Sequence, residues 1–200
     1  MYAWRKLTPE QREEVLAYRK LQQRPWHSPP VLFESGLFHV SAACYEHQSH
    51  IGKDAARLAE FSGDLLKVFD VARYDLQAWC VLPNHYHLLV KVGNLRQLKR
   101  ELGWLHRRTA YAWNQAEQAC GRQVWHRCAD RAIRSERHYW ATLNYIHQNP
   151  VHHRYVAQWT DWPFSSASAY LTAVGREQAR AIWLEHPLLD YGEGWDDPAL

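Results

Sequence analysis

Residues Tyr74–Val92, YDLQAWCVLPNHYHLLVKV, decide the fold. Strand-forming residues run through Tyr74–Val81, a Pro83-Asn84 turn interrupts them, and Tyr86–Val92 resumes the pattern. Two such runs joined by a short turn read as neighbouring antiparallel strands. His85 and His87 open the second strand. Residues two apart on a strand point to one face, so both imidazoles face one way and Tyr86 the other. Leu88-Leu89-Val90 follows at once, which buries the body of the strand and leaves the histidines at its mouth.

The flanks extend this reading. Leu37–Tyr45 alternates and is rich in strand formers. Lys53–Val71 places Leu58, Phe61, Leu65 and Phe69 at helical spacing. Leu95–Gln118 reads as a long helix ending near Gly121, and Val124–Ile133 as a fourth, irregular strand. Ser135 caps a helix that runs to about Gln148, with Pro150 as its stop. The order is β-α-β-β-α-β plus one C-terminal helix. That predicts an α+β fold of the ferredoxin-like, split-βαβ kind: an antiparallel sheet with helices on one face. Upstream, Thr8-Pro9-Glu10 opens a predicted helix over 8–22, and Trp26–Pro30 reads as a linker.

Composition bounds the function. The chain has 200 residues, 46% hydrophobic and 22% charged, as expected of a globular domain. No apolar run approaches the ~20 residues of a membrane span, and the N-terminus lacks a signal-peptide core, so a cytoplasmic location is expected. The four cysteines lack C-x-x-C spacing; a zinc site from Cys120, His126 and Cys128 is conceivable but poorly spaced. Net charge is +3, unevenly spread. Residues 95–138 carry ten Lys/Arg against four acids, whereas 175–200 carry two against six. A basic middle suits an anionic partner as well as a solvated helix face. Eleven Trp and eleven Tyr, interleaved with arginines, suit single-stranded nucleic acid, although most such rings belong in a core.

Two same-face imidazoles are half a ligand set for a divalent metal, and such a metal serves phosphoryl chemistry. A third ligand must come from elsewhere. On the helix after Ser135, Tyr145 and Asn149 are four apart and share a face. Asn149 offers an oxygen ligand. Taken alone, Tyr145 reads as a packing residue; a phenol with pKa near ~10 attacks only when a base or positive charge activates it.

Three stretches together resemble a known family. They are Ala78–Val90 (AWCVLPNHYHLLV), Val124-Trp-His-Arg-Cys128 with Arg131-Ala-Ile-Arg134, and Leu143–Val151 (LNYIHQNPV) followed by Asp161–Ser166 (DWPFSS). They resemble the HUH single-tyrosine transposases, and within these the REP-associated tyrosine transposases, over roughly residues 36–172. The resemblance implies that His85, His87 and Asn149 hold Mg²⁺ or Mn²⁺ and that Tyr145 is the nucleophile. It implies cleavage of single-stranded, hairpin-forming DNA through a 5′-phosphotyrosine, later rejoined by a 3′-OH. It also implies a monomer rather than a dimer. The segment Arg127-Cys128-Ala129-Asp130 departs from the family's commoner aromatic run, which bears on how DNA is gripped. On this reading the domains are an N-terminal helical extension (1–30), an HUH transposase-like catalytic domain (36–172) and an acidic C-terminal tail (173–200). Arg107, Arg108, Arg131 and Arg134 are expected on phosphates, with Trp125 stacking on a base. Two rivals stand beside it. A histidine-triad hydrolase needs a third alternating histidine where Leu89 stands. A catalytically inert single-stranded nucleic-acid-binding module would keep the fold without turnover.

Overall fold

In the computed structural model, the described residues are 35–188, Tyr191 and Gly192, with Thr8, Glu10 and Glu13 near the start. Apart from these three residues, the helix expected over 8–22 lies outside the described residues. Strands β1 (Gly36–Ala43), β2 (Asp75–Val81), β3 (His85–Val92) and β4 (Ala129–Ala132) form one sheet in the order β2-β3-β1-β4. Every pairing is antiparallel. Helix α1 (Ala55–Ala72) links β1 to β2, and α2 (Leu95–Ala116) links β3 to β4. This is the split-βαβ order expected, with β1 and β3 at the centre.

Side-chain alternation sorts the core. Phe38, Val40, Ala42, Tyr86, Leu88 and Val90 face α1 and α2, where Leu58, Phe61, Leu65, Leu98 and Leu102 complete the main core. Burying one such side chain stabilises by about 1.5–3 kcal/mol. Both crossover helices start on a side-chain cap. Asp54 accepts from the Arg57 amide and Asn94 from the Gln97 amide. Ser135 accepts from the His138 amide at the start of α3 (Glu136–His152), as expected.

Helix α3 lies on the other face of the sheet. Leu143, Tyr145 and Ile146 pack there against Ala78, Cys80, Leu82 and Leu89. The helices on one face are therefore the two crossovers, and the C-terminal helix covers the reverse side. Pro150 does not stop α3, which runs on to His152. A proline in the final turn forfeits one backbone donor, toward the Ile146 carbonyl, and His153, Arg154 and Tyr155 close the end by donating to Asn149, Val151 and Pro150. The expected fourth strand shrinks to Ala129–Ala132, with a separate bridge between Trp125 and Cys44.

The Asp161–Ser166 stretch runs along the outer edge of β2. The Val81 amide donates to the Phe164 carbonyl at 2.8 Å, Ser166 N to Trp79 O at 2.9 Å, and Trp162 Nε1 to Val81 O at 2.9 Å. It blunts a sheet edge that would otherwise offer unpaired backbone groups. Two further helices follow, α4 (Ala167–Val174) and α5 (Arg176–Glu185), where the sequence reading placed no element. Among the described residues no helix is long and apolar enough to cross a membrane.

Candidate metal and nucleophile site

The turn before β3 fixes the first histidine. Leu82 N donates to His85 O at 2.8 Å across Pro83-Asn84. The loop after β1 clamps this turn: Cys44 N donates to Asn84 O and Gly52 N to Pro83 O. A Cβ at Gly52 would collide with Pro83, so that approach requires glycine. The Asn84 amide nitrogen donates to His47 O at 3.1 Å, which orients its Oδ1 toward His85 Nδ1, 2.7 Å away. Asn84 Oδ1 can only accept, so Nδ1 carries the proton.

A neutral His85 then turns a bare Nε2 toward Asn149 Oδ1, 3.0 Å away. Both atoms are acceptors as oriented, and two facing lone pairs repel unless a proton or a cation lies between them or the Asn149 amide turns to offer its Nδ2. The separation also suits a cation: two ligands at right angles, each about 2.1 Å from one ion, lie about 3.0 Å apart. Asn149 is buried, and its Nδ2 has no hydrogen-bond partner. The donor set of two imidazoles and one amide oxygen thus fits a divalent ion at the place expected from His85, His87 and Asn149. Among the described residues no three His, Cys, Asp or Glu side chains form a metal-binding group. The poorly spaced Cys120, His126 and Cys128 do not gather into a zinc site. Cys120 is exposed, His126 Nε2 accepts from the Glu46 amide, and Cys128 lies beside Tyr86 and His106.

Tyr145 completes the cluster. Its ring centroid is 5.2 Å from that of His87, and His85 and His87 are 5.0 Å apart. The phenol-bearing residue is 6% exposed. Tyr191 covers it edge-on, with centroids 5.7 Å apart, and Tyr191 Oη hydrogen-bonds Thr142 Oγ1. Gly192 lies so close that a Cβ there would enter the Tyr145 ring. Residues 191 and 192 of the segment read as an acidic tail therefore pack on this tyrosine.

Two histidines join the site unannounced. His39 Nε2 lies 3.1 Å from His87 Nδ1, which leaves Nε2 as the nitrogen His87 would offer a metal. His153, one turn beyond Asn149, places its ring 5.0 Å from His85, and its buried Nε2 has no hydrogen-bond partner. Burial, then the neighbouring His152, His87 and His47, pulls the His153 pKa down to about 4. His39 was legible once β1 and β3 are paired, because alternation puts it on the His87 face. His153 was hidden by reading Pro150 as a helix stop.

The residues expected to grip DNA separate into two groups. Arg131 is the register partner of His39 on the edge strand β4, and the Arg134 amide faces His138 at the start of α3. Both lie on the α3 side of the sheet. Arg107 and Arg108 lie on α2, behind the sheet, with Arg108 paired to Asp64 at 2.6 Å. Trp125 is a correction. It is buried, stacked on His106 with centroids 4.1 Å apart, and its Nε1 donates to Thr109 Oγ1. Its faces are packed in the core and are not open to a base.

No family profile matches the chain. It is 30% identical over 112 residues to the REP-associated tyrosine transposase of Escherichia coli (strain K12), a match covering 51% of this chain and 59% of that protein. The chain thus spans about three-fifths of the length of this curated relative. It is also similar to a solved structure of a REP-associated tyrosine transposase bound to a REP hairpin. There the TM-score is 0.53 and the identity 23%, over 73% of this chain and 83% of that one, a likeness of fold. The family resemblance read from the three motif stretches is borne out.

Proposed function

We propose that this protein cleaves and rejoins single-stranded, hairpin-forming DNA through a covalent bond to Tyr145. The observation that carries the reading is the meeting of His85 Nε2 and Asn149 Oδ1 at 3.0 Å, beside a tyrosine on the same helix. A bound Mg²⁺ or Mn²⁺ would neutralise charge on the scissile phosphate and orient it. His85, His87 and Asn149 hold that position, while Asn84 and His39 fix the two rings through their other nitrogens. Tyr145 Oη loses its proton to solvent and bonds to phosphorus; the P–O3′ bond breaks, and the leaving oxygen takes up a proton as a 3′-OH. The phosphotyrosine keeps the phosphodiester's energy, so a 3′-OH reverses the step without ATP. Arg131 and Arg134 hold the phosphates flanking the cut. The protein acts as a monomer.

The inert-module reading has one observation in its favour, the covering of Tyr145 by Tyr191 and Gly192. One experiment separates the two. Labelled hairpin DNA with single-stranded flanks is incubated with Mn²⁺ and either the natural chain or Tyr145→Phe, then run on a denaturing gel. A covalent band from the natural chain alone is expected. Equal bands from both, or cleavage without a covalent species, would remove Tyr145 as nucleophile; binding without cleavage would establish the inert module.

A further inference from the structure

The outward face of α2 carries a feature that this chemistry leaves unused. At about 100° per residue, Arg96, Arg100, Trp104, Arg107 and Tyr111 fall within an arc of roughly 80°. Leu98, Leu102, Leu105 and Thr109 lie opposite, buried on the sheet. All five stripe residues are exposed, Trp104 by 67% and Tyr111 by 69%. The Arg107 guanidinium lies 4.2 Å from the centroid of the Trp104 ring. The acids of this helix stand about a quarter turn away and are engaged: Glu101 by Tyr74 and Gln97, Glu117 by Arg57 and Arg122. The stripe is about 22 Å long, on the side of the sheet opposite Tyr145.

We infer that this stripe binds unpaired nucleotides of the DNA at a distance from the scissile phosphate, an inference that rests on the proposed DNA-processing function. Its chemistry selects the partner. Arginines alone would serve any phosphate backbone. Two large rings held in water need exposed base faces, which a duplex hides in its own stack and a single strand presents. The cation–π contact holds the indole in place before binding, so little further ordering is required. Because the sheet lies between, nucleotides on this stripe are remote from the cut.

The test uses the full chain carrying Tyr145→Phe, so that binding is read without cleavage. The probe is a 30-nucleotide oligothymidine, fluorescently labelled for anisotropy and, separately, carrying 5-iodouracil for photocrosslinking. Trp104→Ala with Tyr111→Ala is expected to weaken binding at least tenfold and leave affinity for a blunt duplex within twofold. Arg100→Gln with Arg107→Gln is expected to make the slope of log affinity against log salt shallower by about 1.4, near 0.7 per phosphate released. Crosslinks are expected at Trp104 or Tyr111. All four side chains are exposed, and an unchanged thermal melt checks that the fold is intact. The inference is overturned if oligothymidine affinity moves less than twofold in the aromatic variant. It is equally overturned if crosslinks map only to the α3 side, or if the aromatic variant alters sedimentation instead of DNA binding. Absence of a covalent adduct from the natural chain would defeat the proposed chemistry and leave these binding readouts standing.

Discussion

His39 holds His87 by its Nδ1, as Asn84 holds His85. Partners of this kind fix the tautomer and orientation of a ligand ring, and removing them costs about 10–100-fold in metal affinity. His39→Ala is therefore expected to weaken Mn²⁺ binding by that factor, read by titrating the free-ion EPR signal. His39→Gln keeps an acceptor near the same place and should recover part of the loss. If His39→Ala binds Mn²⁺ as tightly as the natural chain, the contact has no part in holding the ion. The His85/His87 pair was legible because strand period and turn chemistry are local. His39 was not, since it sits 48 positions from His87 and reaches it only through strand register. Trp125 failed for a related reason: its composition suits base stacking, and only tertiary packing shows that His106 and Thr109 already occupy it.

At the scale of elements, the loop that follows β1 and the turn that precedes β3 behave as one unit. Gly52 passes against Pro83 with no room for a side chain. Gly52→Ala should destabilise the fold by about 1–3 kcal/mol, the usual cost of overpacking, measured by urea denaturation. It should also lower Mn²⁺ affinity, because the displaced turn carries Asn84 and His85; a loss of stability with unchanged affinity would separate loop from site. Helix α1 was visible in advance through spaced apolar residues, α2 through its end near Gly121 and α3 through its Ser135 cap, whereas the Asp54 and Asn94 caps emerge only in the structure. Helices α4 and α5 were not: no side chain caps either one, and they bury only Ala167, Ala179 and Ile182. The end of α3 was misjudged because proline in a last turn costs one hydrogen bond, which packing against the sheet offsets.

Across the whole molecule, the basic excess of residues 95–138 is divided by the sheet, and part of it is engaged internally. Lys99 pairs with Asp130, and Arg122 with Glu117. Net charge along the chain could not reveal that division. Buried histidines set the response to acid. Burial pulls His106 down from 6.5 to about 4, and His147 and His153 shift the same way. In each case the fold favours the neutral ring, so the unfolded chain binds the proton first as pH falls. Stability should be full above about pH 7 and decline between pH 6.5 and 4, with His106 alone contributing roughly 3 kcal/mol. Its Nε2 hydrogen-bonds Tyr86 Oη at 3.0 Å, so His106→Gln retains a polar partner for that hydroxyl and should flatten that decline in urea midpoints measured against pH. An unaltered pH profile in that variant would assign the acid sensitivity elsewhere.

Strand β3 writes two texts in alternate letters. Its even positions, Tyr86, Leu88 and Val90, face the main core, and its odd positions His85 and His87 face the candidate site. A saturation scan of residues 85–88 should therefore split by parity. Substitutions at the even positions should deplete folded protein, whereas those at His85 and His87 should leave abundance intact and abolish adduct formation. A single inserted residue after Asn84 would exchange the two texts and lose both at once.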